Sequence, residues 1–283
     1  MNWERAKTVL IIFFLIINIC FAGILVYMRY SDETLSEDTV KTTVSLLSQH
    51  GIIIKNANII PKQKMKNQNY SLTTLMFSDN KLLKKWLGDG YKLSEEDSSA
   101  YCFTYQNANK RLVLNKTGID FINDKKTVLH TKKSDKDIED FLSARLKEFN
   151  FNKKEYYFSK VWFENGLYHG IISPLADNTK ILGIELEISA DKEEIINIKG
   201  NYFTSNSKEE FDSKGLLDIT AILAKMVYLP EKPISEMTGI SYAGYVSDIY
   251  IENKEVTAVP VYVIEFANGV IYYYDARTGE MLD

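Results

Sequence analysis

Residues 8–28 carry no charged side chain, and the run closes on Arg29. A bilayer core of about 30 Å is crossed by about 20 helical residues rising ~1.5 Å each, and residues 9–28 supply that length. The reading is a transmembrane helix over 9–28 behind a short tail, 1–8, with everything beyond Tyr30 too polar for lipid and folding in water on one side. Arg5 and Lys7 precede the span and Arg29 follows it, so the positive-inside bias places the tail in the cytoplasm and the body outside the cell membrane. A cleaved signal would need a shorter apolar stretch and a small-x-small exit, whereas this run leaves through Ile24, Leu25, Val26, Tyr27 and Met28. The expectation is an uncleaved single-pass anchor.

The first thirty residues hold three of the 34 basic and one of the 38 acidic residues, so the remainder carries a net charge of −6. Nucleic-acid binding needs clustered basic charge and is not expected. Of two cysteines, Cys20 falls in the span and Cys102 stands alone outside it, so no internal disulfide cross-links the body. Stability must come from packing, for which 18 Tyr and 14 Phe give ample material.

Ser36 caps a helix carrying Val40, Val44 and Leu47 on one face, stopped by Gly51; 52–54 reads as a strand. Strand over 70–77, helix over 80–87, and strands over 101–105, 111–114 and 118–122 follow. The pattern then repeats. Ser134 opens a capping box before Ile138, Phe141, Leu142 and Leu146, and strands over 156–163 and 167–172 flank an Asn165-Gly166 turn. Further strands are expected over 181–188 and 194–203, a helix over 215–228, and closing strands over 240–251, 259–265 and 270–274. The fold class is α+β: two extracytoplasmic domains, 31–130 and 131–283, each an antiparallel sheet packed with helices.

Catalytic signals are poor. His50, His130 and His169 lack partners at metal-ligand spacing, and no nucleophile elbow, zinc-protease or phosphate-loop motif occurs, so no catalytic residue, metal or cofactor is assigned. Cys102 reads as an inert strand thiol. The acids at 95–97, 135–140 and 193–194 fit turns and helix starts better than a glycosidase pair, and the lysines of 62–66 fit a solvated loop. The aromatic stretches offer more. Strand alternation sends some rings away from the core, and Tyr156, Phe158, Trp162, Tyr272 and Tyr274 are candidates for a surface that meets a protein or a glycan; a sheet covered on both faces is the alternative. Within the span, Asn18 is strongly polar, and an interhelical partner for its amide is worth about 0.6–2 kcal/mol. Ala22 and Gly23 permit close backbone approach, making these three residues candidates for contact with another helix.

The lead-in Asn2-Trp3-Glu4-Arg5-Ala6-Lys7-Thr8, running into Ile11-Ile12-Phe13-Phe14-Leu15-Ile16-Ile17-Asn18, resembles the start of the YycI-type proteins of Firmicutes. The resemblance implies a non-enzymatic regulator acting, with a YycH-type partner, on the WalK (YycG) sensor histidine kinase of a two-component system governing cell-wall metabolism, partly through transmembrane contacts. The stretch 260–266, with Tyr274-Asp275-Ala276-Arg277-Thr278-Gly279-Glu280, is similar to the ending of PepSY-type modules, which implies as an alternative a cell-surface binding or protease-modulating role. The Asp-x-x-Thr-Gly run reads as a turn, with no catalytic part for Asp275.

Overall fold

The computed structural model describes residues 7, 11, 13–23, 34–62, 68–74, 80–99, 102–115, 118–125, 128–176, 178–201, 203–210, 215–229, 235–246 and 255–282. They form a mixed α+β structure in which strands outnumber helices. The chain divides into two compact units, each assembled from separated segments. The first comprises 1–66, 216–241 and 263–281, and the second 67–215, 242–262 and 282–283. The division expected near residue 130 falls inside the second unit.

In the first unit, residues 13–23 are helical. Residues 9, 10, 12 and 24–28 of the expected span lie outside the described residues, and among the described residues no helix is long and apolar enough to cross a membrane. Helix α1 (Glu37–Gln49) starts where Ser36 Oγ accepts from Thr39 N–H at 3.1 Å. It ends in a Schellman turn. Gly51 at φ 83° bonds to Ser48, Ile52 N–H reaches back to Leu47 O, and Leu47 and Ile52 are both buried. The expected strand at 52–54 reduces to one bridge, Ile53 with Glu236. Against α1 packs the short helix Ile219–Met226, which presents Ile222, Leu223 and Met226 as fully buried side chains.

The second unit contains an antiparallel sheet whose neighbours run, in order, β6 (Tyr156–Glu164), β7 (Leu167–Ala176), β9 (Leu186–Ala190), β10 (Ile195–Asn201), β5 (Gly118–Asn123), β4 (Lys110–Asn115), β3 (Cys102–Asn107) and β2 (Lys92–Ser99). Strand β1 (Gln68–Thr74) pairs elsewhere, with β11 (Phe203–Glu210) and with residues 255–258 of a later strand. The short β8 (Thr179–Leu182) leaves β7 and runs parallel to residues 243–245. Helices α2 (Asn80–Leu87) and α3 (Asp135–Glu148) put Trp86, Leu83, Ile138, Leu142 and Leu146 into one core with Leu112, Phe121, Ile188 and Ile198 of the sheet. Trp86 meets Phe121 and Phe149 edge-on at 5.6 and 4.9 Å, and its indole N–H donates to the Phe149 carbonyl at 3.2 Å. This shared core explains the displaced boundary. Residues 83–121 and 138–198 bury the same apolar surface, so no domain edge can fall between them.

The one strand expected over 181–188 is two. Gly183, at φ 83°, breaks it beside the Val246 carbonyl, where a Cβ would collide. Strand β2 had no sequence expectation.

Candidate functional site

The aromatic run Tyr156-Tyr157-Phe158-Ser159-Lys160-Val161-Trp162-Phe163-Glu164 is β6, and its register decides which rings face where. Phe158 pairs with Ile172 but Lys160 pairs with Ile171, so Ser159 is the extra residue of a β-bulge. Before the bulge, Tyr156 and Phe158 face the core; after it, Val161 and Phe163 do. Lys160, Trp162 and Glu164 therefore turn to the opposite, outer face. The bulge lets nine consecutive residues keep four apolar side chains inside despite broken alternation.

On that outer face, Trp162 stacks on His169 of β7, with ring centroids 5.0 Å apart and planes 11° from parallel. The indole N–H donates to Glu164 Oε2 at 3.3 Å, and Lys160 Nζ lies 5.3 Å from the ring centre. His169 Nδ1 and Ser189 Oγ of β9 share a hydrogen bond at 2.9 Å. His169 Nε2 is enclosed and has no partner among the described residues. In a nucleophilic triad an acid orients the second ring nitrogen; among the described residues no acid meets His169 Nε2, and the Ser189 bond positions the imidazole under Trp162. Toward the other end of β6, Lys180 Nζ lies 5.1 Å from the Tyr157 ring centre, a second cation over a second ring.

The other aromatic candidates lie elsewhere. Tyr156 is buried against Phe151 and Phe158 in the core, and Phe158 packs on the same core beside Gly170. In the first unit, Tyr272 and Tyr274 share one face of the strand Ile271–Asp275, two residues apart. Tyr274 is buried, with its hydroxyl pushed up to about 12 by burial and then by the neighbouring Tyr272, while Tyr272 packs edge-on against Phe266 at 5.5 Å. Tyr156 and Tyr274 thus leave the list of surface residues. Trp162 lies on the outer face of β6, and both it and Tyr272 are half-buried.

The remaining candidates resolve into structural roles. Asp191, fully buried, accepts from the backbone N–H groups of Glu193 and Glu194 at 2.8 Å each and of Val128 at 3.0 Å, with Lys125 Nζ at 3.6 Å. Burial alone would raise its carboxyl; those N–H donors and the Lys125 ammonium outweigh it and hold the group below its ordinary value. Lys125 also meets Glu194 at 2.6 Å and Glu193 at 3.2 Å, and Lys110 meets Glu194 at 3.6 Å, so these acids are held in ion pairs. His130 stacks on Tyr168 at 3.6 Å, and burial pushes its imidazole below the ordinary value. Ser134 caps α3 through Asp137 N–H. The side chains at 95–97 and the loop residues 63–67 lie outside the described residues, while Lys62 pairs with Glu37. Cys102 is half-buried on β3. Among the described residues no three His, Cys, Asp or Glu side chains converge as a metal site.

Asp275 accepts from Arg277 N–H at 2.6 Å and from Thr278 N–H at 3.3 Å. Lys225 donates to the Thr278 carbonyl at 2.7 Å. The Asp-x-x-Thr-Gly run is a turn held by its own side chain. On the N-terminal helix, Asn18 Nδ2 donates to the Phe14 carbonyl at 3.0 Å, which meets part of its hydrogen-bonding need without another chain. Ala22 and Gly23 are exposed, and a Cβ on Gly23 would touch nothing.

No protein-family profile matches the chain. No curated protein matches it either. Among solved structures it is similar to an uncharacterized protein from Eubacterium rectale, at 15% identity over 79% of this chain and 87% of that one, with a TM-score of 0.50. It is also similar to the Bacillus megaterium YpeB C-terminal domain, at 11% identity over 89% of this chain and 99% of that one, with a TM-score of 0.40. The first likeness is one of fold.

Proposed function

We propose that the chain is a membrane-anchored, non-enzymatic regulator of a WalK-type sensor histidine kinase, working with a YycH-type partner and holding its body outside the membrane. The observation that carries the reading is the helix at 13–23, where Phe13, Phe14, Leu15, Ile16, Ile19 and Phe21 all stand more than half exposed. Apolar surface left in water costs about 25 cal/mol per Å², so these side chains call for lipid or other helices around them. The lead-in from Asn2 to Thr8, which resembles the YycI-type start, adds the kind of partner. A helix shifts a two-state kinase only if it contacts the two states differently. Asn18 is the side chain suited to that, because its amide can exchange the Phe14 carbonyl for a group on a neighbouring helix.

The expected outcome is that Asn18→Leu inserts in the membrane normally but co-purifies less with the kinase. A double-mutant cycle with polar residues of the kinase spans should give a coupling of about 0.6–2 kcal/mol. Undiminished co-purification would remove Asn18 as the contact.

A further inference from the structure

Between β5 and α3, residues 128–133 run past the ends of two hairpins and hold to them by single hydrogen bonds. Val128 N–H donates to Asp191 Oδ2 at 3.0 Å and its carbonyl accepts from Lys192 N–H at 2.9 Å, both in the turn between β9 and β10. His130 N–H donates to the Gly166 carbonyl at 2.8 Å in the turn between β6 and β7, and the Tyr168 hydroxyl donates to the Thr131 carbonyl at 2.9 Å. Of residues 128–133 only His130 is not exposed. Its ring meets Tyr168, stacked at 3.6 Å with planes 13° apart, and Phe141 of α3, edge-on at 4.7 Å. The segment buries little apolar surface of its own, since Leu129 is 62% exposed, so one imidazole supplies most of its anchorage.

We infer that His130 is an acid-sensitive latch: when its ring takes up a proton, residues 128–133 come away from the two hairpin ends while the sheet stays folded. The second ring nitrogen decides this. His130 Nε2 is enclosed and has no partner among the described residues. A neutral ring can leave a lone pair there, whereas an imidazolium carries an N–H on both nitrogens. Protonation therefore puts an unpaired donor and a charge into an enclosed place. That cost falls away once the segment lifts and water reaches the ring. The Tyr168 face attracts the cation, but this attraction is weaker than the cost of an enclosed N–H with no acceptor.

The charges around the ring do not offset that cost. Asp191 and Lys192 act on it from the turn between β9 and β10, and Lys133 from the segment itself. On α3, Arg145 lies over the Phe141 ring at 5.3 Å, and Asp137 acts on Tyr168, whose hydroxyl is raised by burial and then by that acid. Burial is the largest influence on His130 and lowers its imidazole. The Asp191 backbone and carboxylate oppose burial, Lys133 and Lys192 reinforce it, and the net direction is down. Closure is therefore fully supported above the ordinary 6.5 and lost as pH falls through the closed-state value. The neighbouring acids ionise lower. Burial raises both Asp191 and Glu194, but backbone N–H groups outweigh it at Asp191, and Lys125 with Lys110 at Glu194, so both stay charged while His130 titrates. The inference stands on the second unit alone and does not depend on the kinase reading.

The test uses the full chain in lipid nanodiscs, with amide hydrogen exchange at about pH 7.5 and about pH 5, corrected for the pH dependence of intrinsic exchange. The Val128, His130 and Lys192 amides should open about tenfold more at the lower pH, the scale of one unpaired enclosed donor, while those of Ile188 and Ile198 keep their protection. His130→Phe, which keeps a ring without a titrating nitrogen, should make the three amides insensitive to pH. His169→Gln, which alters a histidine outside the segment, should leave the wild-type response in place. The His130 ring, followed by NMR, should titrate with the same midpoint as the exchange, which decides the case even if His130→Phe fails to fold. The proposal is overturned by no pH response in wild type, or by one that survives in His130→Phe or is abolished by His169→Gln. Midpoints that disagree, or protection lost at Ile188 and Ile198 together with the segment, would overturn it equally.

Discussion

Replacing Asp191 removes a common acceptor for three backbone N–H groups, from Val128, Glu193 and Glu194, and a partner for Lys125. Asparagine keeps one oxygen but points its amide donors at a site already filled with donors. Asp191→Asn should therefore cost about 3 kcal/mol in chemical denaturation, the scale of a buried charge network losing one member. The same residue sets part of the acid limit. Its folded carboxyl titrates below its ordinary 3.8, so its contribution is complete above that value and is lost as pH falls through the folded one. His130 acts earlier. Burial favours its neutral ring, so its contribution is complete above the ordinary 6.5 and is lost as pH falls from there through the folded value. Comparing pH–stability curves, His130→Phe should flatten the upper part of the acid loss and leave the lower part in place; an unchanged curve would show that His130 does not titrate with folding. Glycines can be separated in the same way. Gly183 and Gly51 both sit at φ 83°, but only at Gly183 would a Cβ meet backbone, the Val246 carbonyl. Gly51→Ala should cost about 1–2 kcal/mol from the left-handed conformation, and Gly183→Ala distinctly more, read from denaturation midpoints.

Elements whose signals are local are legible in the sequence. Asn165 and Gly166 have φ of 51° and 78°, the positive pair that a two-residue hairpin turn needs, and Ser36 and Ser134 cap the helices they precede. The end of α3 repeats the Schellman form with Asn150 at φ 72° in the glycine position, a substitution that hides the signal. The β6 rings were legible as a strand but not by face, because alternation cannot reveal an inserted residue. Deleting Ser159 makes the consequence measurable. Without it, either Tyr156 and Phe158 or Val161 and Phe163 must turn outward. The deletion should lower the melting temperature by more than 10 °C or abolish folding, at about 1.5–3 kcal/mol for each apolar side chain exposed. Ser159→Gly, which keeps the residue count, should change it little. Equal melting of deletion and wild type would mean that the bulge can be absorbed elsewhere.

At the scale of the whole chain, repeating helix-then-strand patterns suggest two consecutive domains, and periodicity carries no information about which apolar faces meet across long separations. The core of the second unit joins Leu112 and Phe121 to Ile138, Leu142 and Ile198, and the first unit recruits 216–241 and 263–281 to residues near the start. A segment cut at the apparent repeat should therefore fail as a domain. Residues 31–130 alone would keep α1 without the helix bearing Ile222, Leu223 and Met226, and would keep strands β2–β5 with one face stripped of α3 and one edge stripped of β10. The missing partners remove most of the burial that offsets chain entropy in a segment of this size. Residues 31–283 should unfold cooperatively in urea, with a steep transition by far-UV circular dichroism, while 31–130 should show a shallow slope and no midpoint. A sharp transition from 31–130 would place an independent domain there and would mean that the shared core contributes less than its buried side chains suggest.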